Sequence, residues 1–268
     1  MSRNHHRSRR AAARRVGLLA AGLLLAAGMV AGTVLILPAV SRSFPDHSEG
    51  DPSLAETSSA ISTTADPYLL EIPYISQKDQ LPTGCEVVSA TMVLQHYGYD
   101  LTIFDFVDTL LDKQDFVFQD GVRYGPHPAQ AFVGSPYDPG GYGCYAPVIV
   151  RAINKLVQAD GRQAVDLTGT ALADLAQRVR TRQEPVLVWT TIDMRESTDG
   201  TSWILLDTGE SFTWRRPEHC MVLVGEDTDS YYFQDPYNGN GLVRHPRDLA
   251  EKRFQEMGCQ AVAVDKQG

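Results

Sequence analysis

The amino-acid sequence predicts an α+β fold in which helices come first and pack on a later antiparallel sheet. Amphipathic stretches with helix start and stop signals dominate residues 84–182, and strand-like apolar runs separated by short turns dominate residues 185–264. The chain has 268 residues, of which 43% are hydrophobic and 21% charged, which is ordinary for a globular protein. This length leaves room for one domain of about 200 residues with a substantial core.

The N-terminal region has the pattern of a membrane anchor. Residues 1–15 form a basic head with six arginines and no acidic residue, and residues 16–40 carry no charge. Because about 20 apolar residues span a bilayer, we predict one transmembrane signal anchor at 16–40. The arginines place the N-terminus in the cytoplasm and the rest of the chain outside the cell membrane. The alternative is a protein secreted after cleavage of this segment as a signal peptide.

A linker and the folded domain follow the anchor. Residues 41–67 are rich in Ser, Thr, Asp, Glu, Pro and Ala without apolar periodicity, which predicts a flexible linker. The folded domain is expected at 68–265. Beyond the basic head, 18 basic residues stand against 33 acidic ones, a net charge of −15 that argues against a nucleic-acid partner. Nothing in the sequence indicates the oligomeric state.

The elements of the domain are predicted from periodicity and from their flanking residues. Helices are expected at about 84–96, 102–113, 148–157, 170–182 and 246–257, and strands at 185–192, 203–206, 211–214, 219–225, 230–235 and 260–264. Between them, residues 124–145 form a long segment rich in Gly and Pro, a type of loop that is usually functional or disordered. We expect its aromatic residues to anchor it to the core, with a substrate groove as the alternative; they are Tyr124, Phe132, Tyr137, Tyr142 and Tyr145.

The first candidate functional residue is Cys85, within Leu81-Pro82-Thr83-Gly84-Cys85-Glu86. Thr83 and Glu86 have the spacing of a capping box, which places Cys85 in the first turn of a helix. The free N–H groups and the positive dipole end there favour an anion, so we expect a lowered thiol pKa and a nucleophilic thiolate. The alternative is a buried structural cysteine near a helix start.

A predicted hairpin supplies two further candidates, His219 and Asp235. Two β-rich runs flank a polar turn centred near Asp227, so paired residue numbers are expected to sum to about 454. His219 and Asp235 then face each other with Cβ atoms about 5 Å apart. A carboxylate in that position fixes the tautomer of the imidazole, as the third member of a catalytic triad does. A slip of one residue would separate the pair.

Four stretches of the chain resemble the papain-like cysteine peptidases, specifically the C39-like group related to bacteriocin-processing peptidases. They are Ile72–Gln77, Leu81–Glu86, Pro217–Cys220 and Phe233–Pro236. The resemblance implies a papain-like fold with Cys85 as nucleophile, His219 as general base and then acid, and Asp235 as its orienter. It also implies an upstream glutamine as oxyanion donor. We favour Gln77, which directly follows the strand-like run 72–76, and Gln80 is the alternative.

These residues predict a membrane-anchored, extracytoplasmic cysteine peptidase-like hydrolase that cleaves peptide or amide bonds through a thioester. The expected substrate is a peptide or a cell-wall peptide. Acyl or peptidyl transfer on cell-wall peptides and a non-catalytic peptide-binding module are alternatives.

No cofactor is expected, and no metal site, because His96, His127 and His245 lack ligand spacing. Cys220 is expected to point away from His219 into the core. A disulfide among Cys144, Cys220 and Cys259 is compatible with an oxidising location.

Overall fold

The structure is a computed structural model, and it describes residues 66–266. The basic head at 1–15, the signal anchor at 16–40 and nearly all of the linker at 41–67 lie outside the described residues. Within residues 66–266, no helix has the length and apolar character needed to cross a membrane. The described part of the chain confirms the α+β class.

Helices α1 to α5 form at the five predicted places, with changed ends. Their bounds are α1 Cys85–His96, α2 Ile103–Asp105, α3 Ala146–Val157, α4 Leu172–Arg182 and α5 Arg247–Glu256. The second helix was predicted to continue to residue 113, but its α-helical part is short and Phe106–Leu110 continue it as a π-helix. Pro147 lies in the first turn of α3, where a missing backbone N–H costs no hydrogen bond.

Thirteen strands are described in this part of the chain. They are β1 Tyr68–Leu69, β2 Lys113–Gln114, β3 Val117–Gln119, β4 Val122–Gly125, β5 Phe132–Val133, β6 Arg162–Asp166, β7 Val186–Thr191, β8 Thr198–Leu205, β9 Ser211–Arg216, β10 Glu218–Glu226, β11 Ser230–Asp235, β12 Gly241–Pro246 and β13 Ala261–Lys266. The order in the main sheet is β12-β11-β10-β7-β13-β6, with β1 beside β10, and every pairing is antiparallel. The predicted antiparallel sheet is therefore confirmed.

Helices cover both faces of the main sheet. On one face, α1 and α3 pack against Leu187, Trp189, Cys220 and Val222. On the other face, α4 and α5 pack against side chains such as Met221. Because side chains alternate along a strand, consecutive residues of β10 serve opposite faces. Cys220 lies in the core beneath α1, as predicted.

A smaller sheet, in the order β3-β4-β8-β9, holds the long segment 124–145 to the domain. Tyr142 and Tyr145 pack against Trp203 and Trp214 with ring centroids 5.3–5.8 Å apart. Phe132 is fully buried. These contacts support the expectation that the aromatic residues of this segment anchor it to the core. Tyr137 is the exception, since it is exposed and stacks on Phe104.

Candidate active site

Cys85 is the first residue of α1, as predicted, and it is almost completely buried. The residue before it, Gly84, occupies the N-cap position, and no side chain caps the helix. The thiol of Cys85 donates a hydrogen bond to Oε2 of Glu86 at 3.4 Å. The candidate nucleophile therefore lies at the helix start, but its proton is held by a neighbouring carboxyl group.

The predicted capping box between Thr83 and Glu86 is wrong. The hydroxyl of Thr83 donates to the carbonyl oxygens of Ser135 and Asp138 at 3.2 and 3.1 Å. Glu86 is fully buried, and its Oε1 accepts the backbone N–H of Cys144 at 2.7 Å. Both side chains tie the long segment 124–145 to the start of α1, and they do not form the reciprocal pair of hydrogen bonds of a capping box.

A second buried carboxyl group, that of Glu218, lies beside the first. The Sγ of Cys85 and one carboxylate oxygen from each of Glu86 and Glu218 all lie within 4.8 Å of one another. Glu218 is 8% exposed, and its Oε1 has no hydrogen-bond partner among the described residues. Strand alternation explains its position, because Glu218 shares a face of β10 with Cys220 and therefore points toward α1.

This surrounding raises the pKa of the Cys85 thiol above its ordinary value. Burial is the largest cause, the negative charge of Glu86 is next, and that of Glu218 follows. The backbone N–H of Cys220 acts in the opposite direction. Burial also raises the pKa of Glu86 to about 7 and that of Glu218 well above its ordinary value. The expectation that the helix start lowers the thiol pKa is therefore wrong for this arrangement, because burial and the neighbouring carboxylates raise that pKa.

His219 and Asp235 are in contact, as predicted. His219 Nε2 lies 2.7 Å from Oδ1 of Asp235, and both side chains are buried. Asp235 also accepts the backbone N–H of Tyr237 at 2.9 Å and the side-chain amide of Asn240 at 2.8 Å. Burial alone would raise the pKa of Asp235, but these donors, His219 first, hold it below its ordinary value. An ionised Asp235 requires that His219 donates from Nε2.

The strand register behind this contact differs from the predicted one. The pairs Val222–Gln234 and Leu223–Phe233 sum to 456, not 454, and a bulge lies between Leu223 and Gly225. His219 and Asp235 are therefore diagonal neighbours and do not stand directly opposite. A shift of two residues keeps the same face of the sheet, so the contact survives the wrong register.

The structure does not join Cys85 to His219. Among residues 66–266, no hydrogen bond or ion pair connects the two side chains, and the thiol contacts Glu86 in its place. Strand alternation directs His219 to the face opposite that of Glu218. The two are linked through the backbone, because the thiol lies near the amide of Cys220, the residue after His219. The described arrangement therefore leaves the candidate nucleophile without a contact to the candidate base.

The two candidate oxyanion donors differ sharply in environment. Gln77 is buried, its backbone N–H donates to the carbonyl of Pro236, and its Nε2 makes only a long contact of 3.5 Å to the carbonyl of Pro82. Gln80 is exposed, and its Nε2 donates to the carbonyl of Ser76 at 2.8 Å. Gln77 therefore connects the residue after Asp235 with the loop that leads to Cys85.

Three functional candidates were not identified from the sequence: Glu218, Asn240 and Tyr237. Glu218 directly precedes His219, and the alternation of β10 would have placed it on the face of Cys220. Asn240 follows β11 in a short polar turn, a position that indicates no particular contact.

His127 packs against the rings of Tyr145 and Phe212. All four cysteines are unpaired.

Comparisons with known proteins agree with this architecture. The profile of the Peptidase_C39 like family matches residues 69–262. The uncharacterized protein YvpB of Bacillus subtilis (strain 168) is 30% identical over 203 residues, which cover 74% of this chain and 76% of YvpB.

One solved structure gives the same result. The crystal structure of a protein described as a C39-like peptidase from Bacillus anthracis aligns with a TM-score of 0.65 and 31% identity, over 75% of this chain and 98% of that one. A double-glycine motif protease from an AMS/PCAT transporter, in complex with its leader peptide, is more distant, with a TM-score of 0.39 and 14% identity over 74% of this chain and 94% of that one. The family match, the fold and the 30% identical relative support a cysteine peptidase-like function in general, and the chain belongs to the Peptidase_C39 like family.

Proposed function

We propose that the protein is a cysteine peptidase-like amide hydrolase that uses Cys85, His219 and Asp235 as its triad. The observation that carries the proposal is the buried contact of 2.7 Å between His219 Nε2 and Asp235 Oδ1. Because Nε2 is engaged, Nδ1 is the ring nitrogen that remains for a thiol. A buried carboxylate with three hydrogen-bond donors is suited to orient this imidazole and to support its charged form.

In the proposed reaction, Cys85 Sγ leaves Glu86, gives its proton to His219 Nδ1 and attacks the carbonyl carbon of a bound peptide. The developing oxyanion accepts hydrogen bonds from the Gln77 side chain and from a backbone N–H at the start of α1. His219 then protonates the leaving amine, and water hydrolyses the thioester. Because His219 lies on the opposite face of β10, this proton transfer requires a rearrangement of the start of α1 and of the start of β10 that brings the two side chains together, and binding of the peptide stabilises the rearranged state.

A peptide or cell-wall peptide is the proposed substrate, and acyl transfer to an amine is the alternative outcome of the same thioester.

We also propose that residues 16–40 anchor the chain in the cell membrane, with the catalytic domain outside, or that the domain is secreted after cleavage. The uncharged length of that segment and its arginine-rich head support this proposal. Mass spectrometry of the mature N-terminus in membrane and medium fractions distinguishes the two.

A non-catalytic peptide-binding module is the second candidate. One observation favours it: the Cys85 thiol is bonded to Glu86 and not to His219. Such a module needs a groove but no reactive thiolate, so it predicts that Cys85 stays inert when the groove is filled.

A set of peptidyl electrophiles, such as acyloxymethyl ketones with varied side chains, separates the two candidates. The full chain in detergent is incubated with each probe, and the modified cysteine is identified by mass spectrometry. The peptidase proposal predicts labelling of Cys85 that is lost in His219→Ala and retained in the control His245→Asn. No labelling by any probe, or labelling that His219→Ala leaves unchanged, supports the binding module.

A further inference from the structure

The buried cluster of Cys85, Glu86 and Glu218 is not explained by the proposed triad. Each of these groups bears negative charge when ionised, and all three are buried. Among the described residues, no lysine, arginine or histidine forms an ion pair with Glu86 or Glu218. Buried carboxyl groups without a counter-charge are costly unless they hold protons or bind a cation.

We propose that this cluster is a binding site for a soft divalent cation, Zn²⁺ in the first place, and that the cation holds Cys85 in an inactive state. The proposal rests on Cys85 being the nucleophile of the proposed function. It adds a metal site that the histidine spacing in the sequence did not indicate, because its ligands are one thiolate and two carboxylates.

The positions of the donor atoms suit such an ion. Tetrahedral zinc binds sulfur at about 2.3 Å and carboxylate oxygen at about 2.0–2.2 Å, which separates the two ligand atoms by about 3.5 Å. Cys85 Sγ and Glu86 Oε2 already lie 3.4 Å apart, and a carboxylate oxygen of Glu218 lies within 4.8 Å of both ligands. Only small movements of the side chains are needed to bring all three to bonding distance.

Glu218 supplies the independent observation that points to a ligand. Its side chain is more than nine-tenths buried, its Oε1 has no partner among the described residues, and it points toward Cys85 and Glu86. A buried carboxyl oxygen without a hydrogen bond is rare in folded proteins. Gly143 leaves space for the two carboxyl groups, because a Cβ at that position would lie 2.4 Å from Glu86 Oε1 and 3.2 Å from Glu218 Oε2.

The charge and proton balance is simple. Zn²⁺ with one thiolate and two carboxylates has a net charge of −1, and the fourth tetrahedral position is left for a water molecule. Protons that the thiol and the carboxyl groups held before binding pass to the buffer. The Cys85 thiolate bound to zinc has already lost its proton, and its sulfur shares an electron pair with the cation in place of attacking a carbonyl carbon, so the cation acts as a reversible inhibitor.

The test is a titration of the untagged full chain in detergent, stripped with EDTA, with Co²⁺ as a spectroscopic probe and then with Zn²⁺. We expect one equivalent of Co²⁺ to give a thiolate-to-metal charge-transfer band and the visible bands of a tetrahedral site, and Zn²⁺ to displace it. Cys85→Ser abolishes the charge-transfer band. Glu86→Gln and Glu218→Gln each weaken binding at least about tenfold, since even outer contacts of metal sites are worth that much. Cys259→Ser, which removes the partly exposed cysteine, leaves binding unchanged.

The metal site and the peptidase function can be disproved independently of each other. The inference is overturned by an absence of saturable binding, by unchanged affinity in Glu218→Gln, or by a charge-transfer band that depends on Cys259. If Zn²⁺ binds as expected but no peptidyl probe labels Cys85, the proposed function fails and the metal site stands. If the probes label Cys85 and Zn²⁺ does not slow labelling, the proposed function stands and the inhibitory site fails.

Discussion

Oδ1 of Asp235 lies 2.7 Å from Nε2 of His219, although the two residues are diagonal neighbours and not directly opposed in the ladder of β10 and β11. The carboxylate is fixed on its other side by the backbone N–H of Tyr237 and the amide of Asn240. These contacts orient the carboxylate before any substrate binds. The ring nitrogen that faces Asp235 is thereby set, and the other is left for a proton from the thiol.

Removal of the carboxylate is therefore expected to cost most of the activity. In Asp235→Asn, the amide no longer selects the required tautomer of His219 or supports its positive charge, and we expect labelling of Cys85 by the best peptidyl probe to slow by at least about a hundredfold. The second-order rate constant of labelling is the measurement. In the control Asn240→Ala, Asp235 keeps its other two donors, and a loss of less than about tenfold is expected. A reversed order of the two variants would contradict this role.

Substitution of Gln77 and substitution of Gln80 are expected to have clearly different effects on the rate at which Cys85 is labelled. Gln77→Ala removes a buried amide near the loop that leads to Cys85, so its labelling rate is expected to fall by about 10²–10³-fold with little change in Tm. Gln80→Ala removes an exposed side chain that bonds only to the carbonyl of Ser76, and the labelling rate should stay the same. A larger loss in Gln80→Ala would transfer the assignment to Gln80.

The sequence allowed the catalytic candidates to be found but not their partners. Cys85 at a helix start and the contact between His219 and Asp235 were both predictable, because local signals and strand period determine them. The register was wrong by two residues, because the turn is closed by the pair Glu226–Tyr231 and is therefore not centred on Asp227, and the bulge between Leu223 and Gly225 then shifts the pairing by one residue. The contact was nevertheless predicted correctly, because two residues are one full period of a strand and a shift of two residues keeps each side chain on the same face.

The environment of the thiol could not be predicted in the same way. Glu86 and Glu218 are separated by 132 positions in the chain, and only the packing of α1 on β10 brings them together. The spacing of Thr83 and Glu86 suited a capping box, but the fold directs Glu86 to the backbone of Cys144. Tertiary contacts decided this outcome, and the local pattern did not show them. The anchor at 16–40 and the triad as a working unit stay predictions.

The pH dependence of alkylation tests the surroundings of the thiol directly. Because burial and then the charge of Glu86 raise the pKa of Cys85, we expect the small reagent iodoacetamide to modify this residue slowly at pH 7 in metal-free buffer. In Glu86→Gln, one negative charge is removed, and the midpoint of the alkylation profile should move to lower pH. The exposed Glu196→Gln is the matched control and should leave the profile unchanged. Fast alkylation of the unmodified chain well below pH 7 would contradict the arrangement described for the thiol.

Stability should fall as the pH rises through neutrality. Burial raises the pKa of Glu86 from 4.5 to about 7, so in that range the folded chain holds a proton that the unfolded chain has released. The resulting stability is present below about pH 4.5 and is lost as the pH rises to about 7. Urea unfolding at pH 5 and pH 8 with EDTA is the measurement. Glu86→Gln is expected to have a smaller loss between the two values, whereas Glu196→Gln should match the unmodified chain.

The packing around the two carboxyl groups is expected to depend on the absence of a side chain at Gly143. A Cβ in Gly143→Ala would lie 2.4 Å from Glu86 Oε1, so the carboxyl group must move away from the backbone N–H of Cys144 and from the Cys85 thiol. We expect a loss of about 1–3 kcal/mol in the free energy of unfolding, the usual cost of overpacking a buried site. Gly140→Ala is the control, because its Cβ would meet Asp138 Oδ1 at an ordinary 3.4 Å. Equal stability of the two variants would show that the space at Gly143 is not needed to hold Glu86 in place.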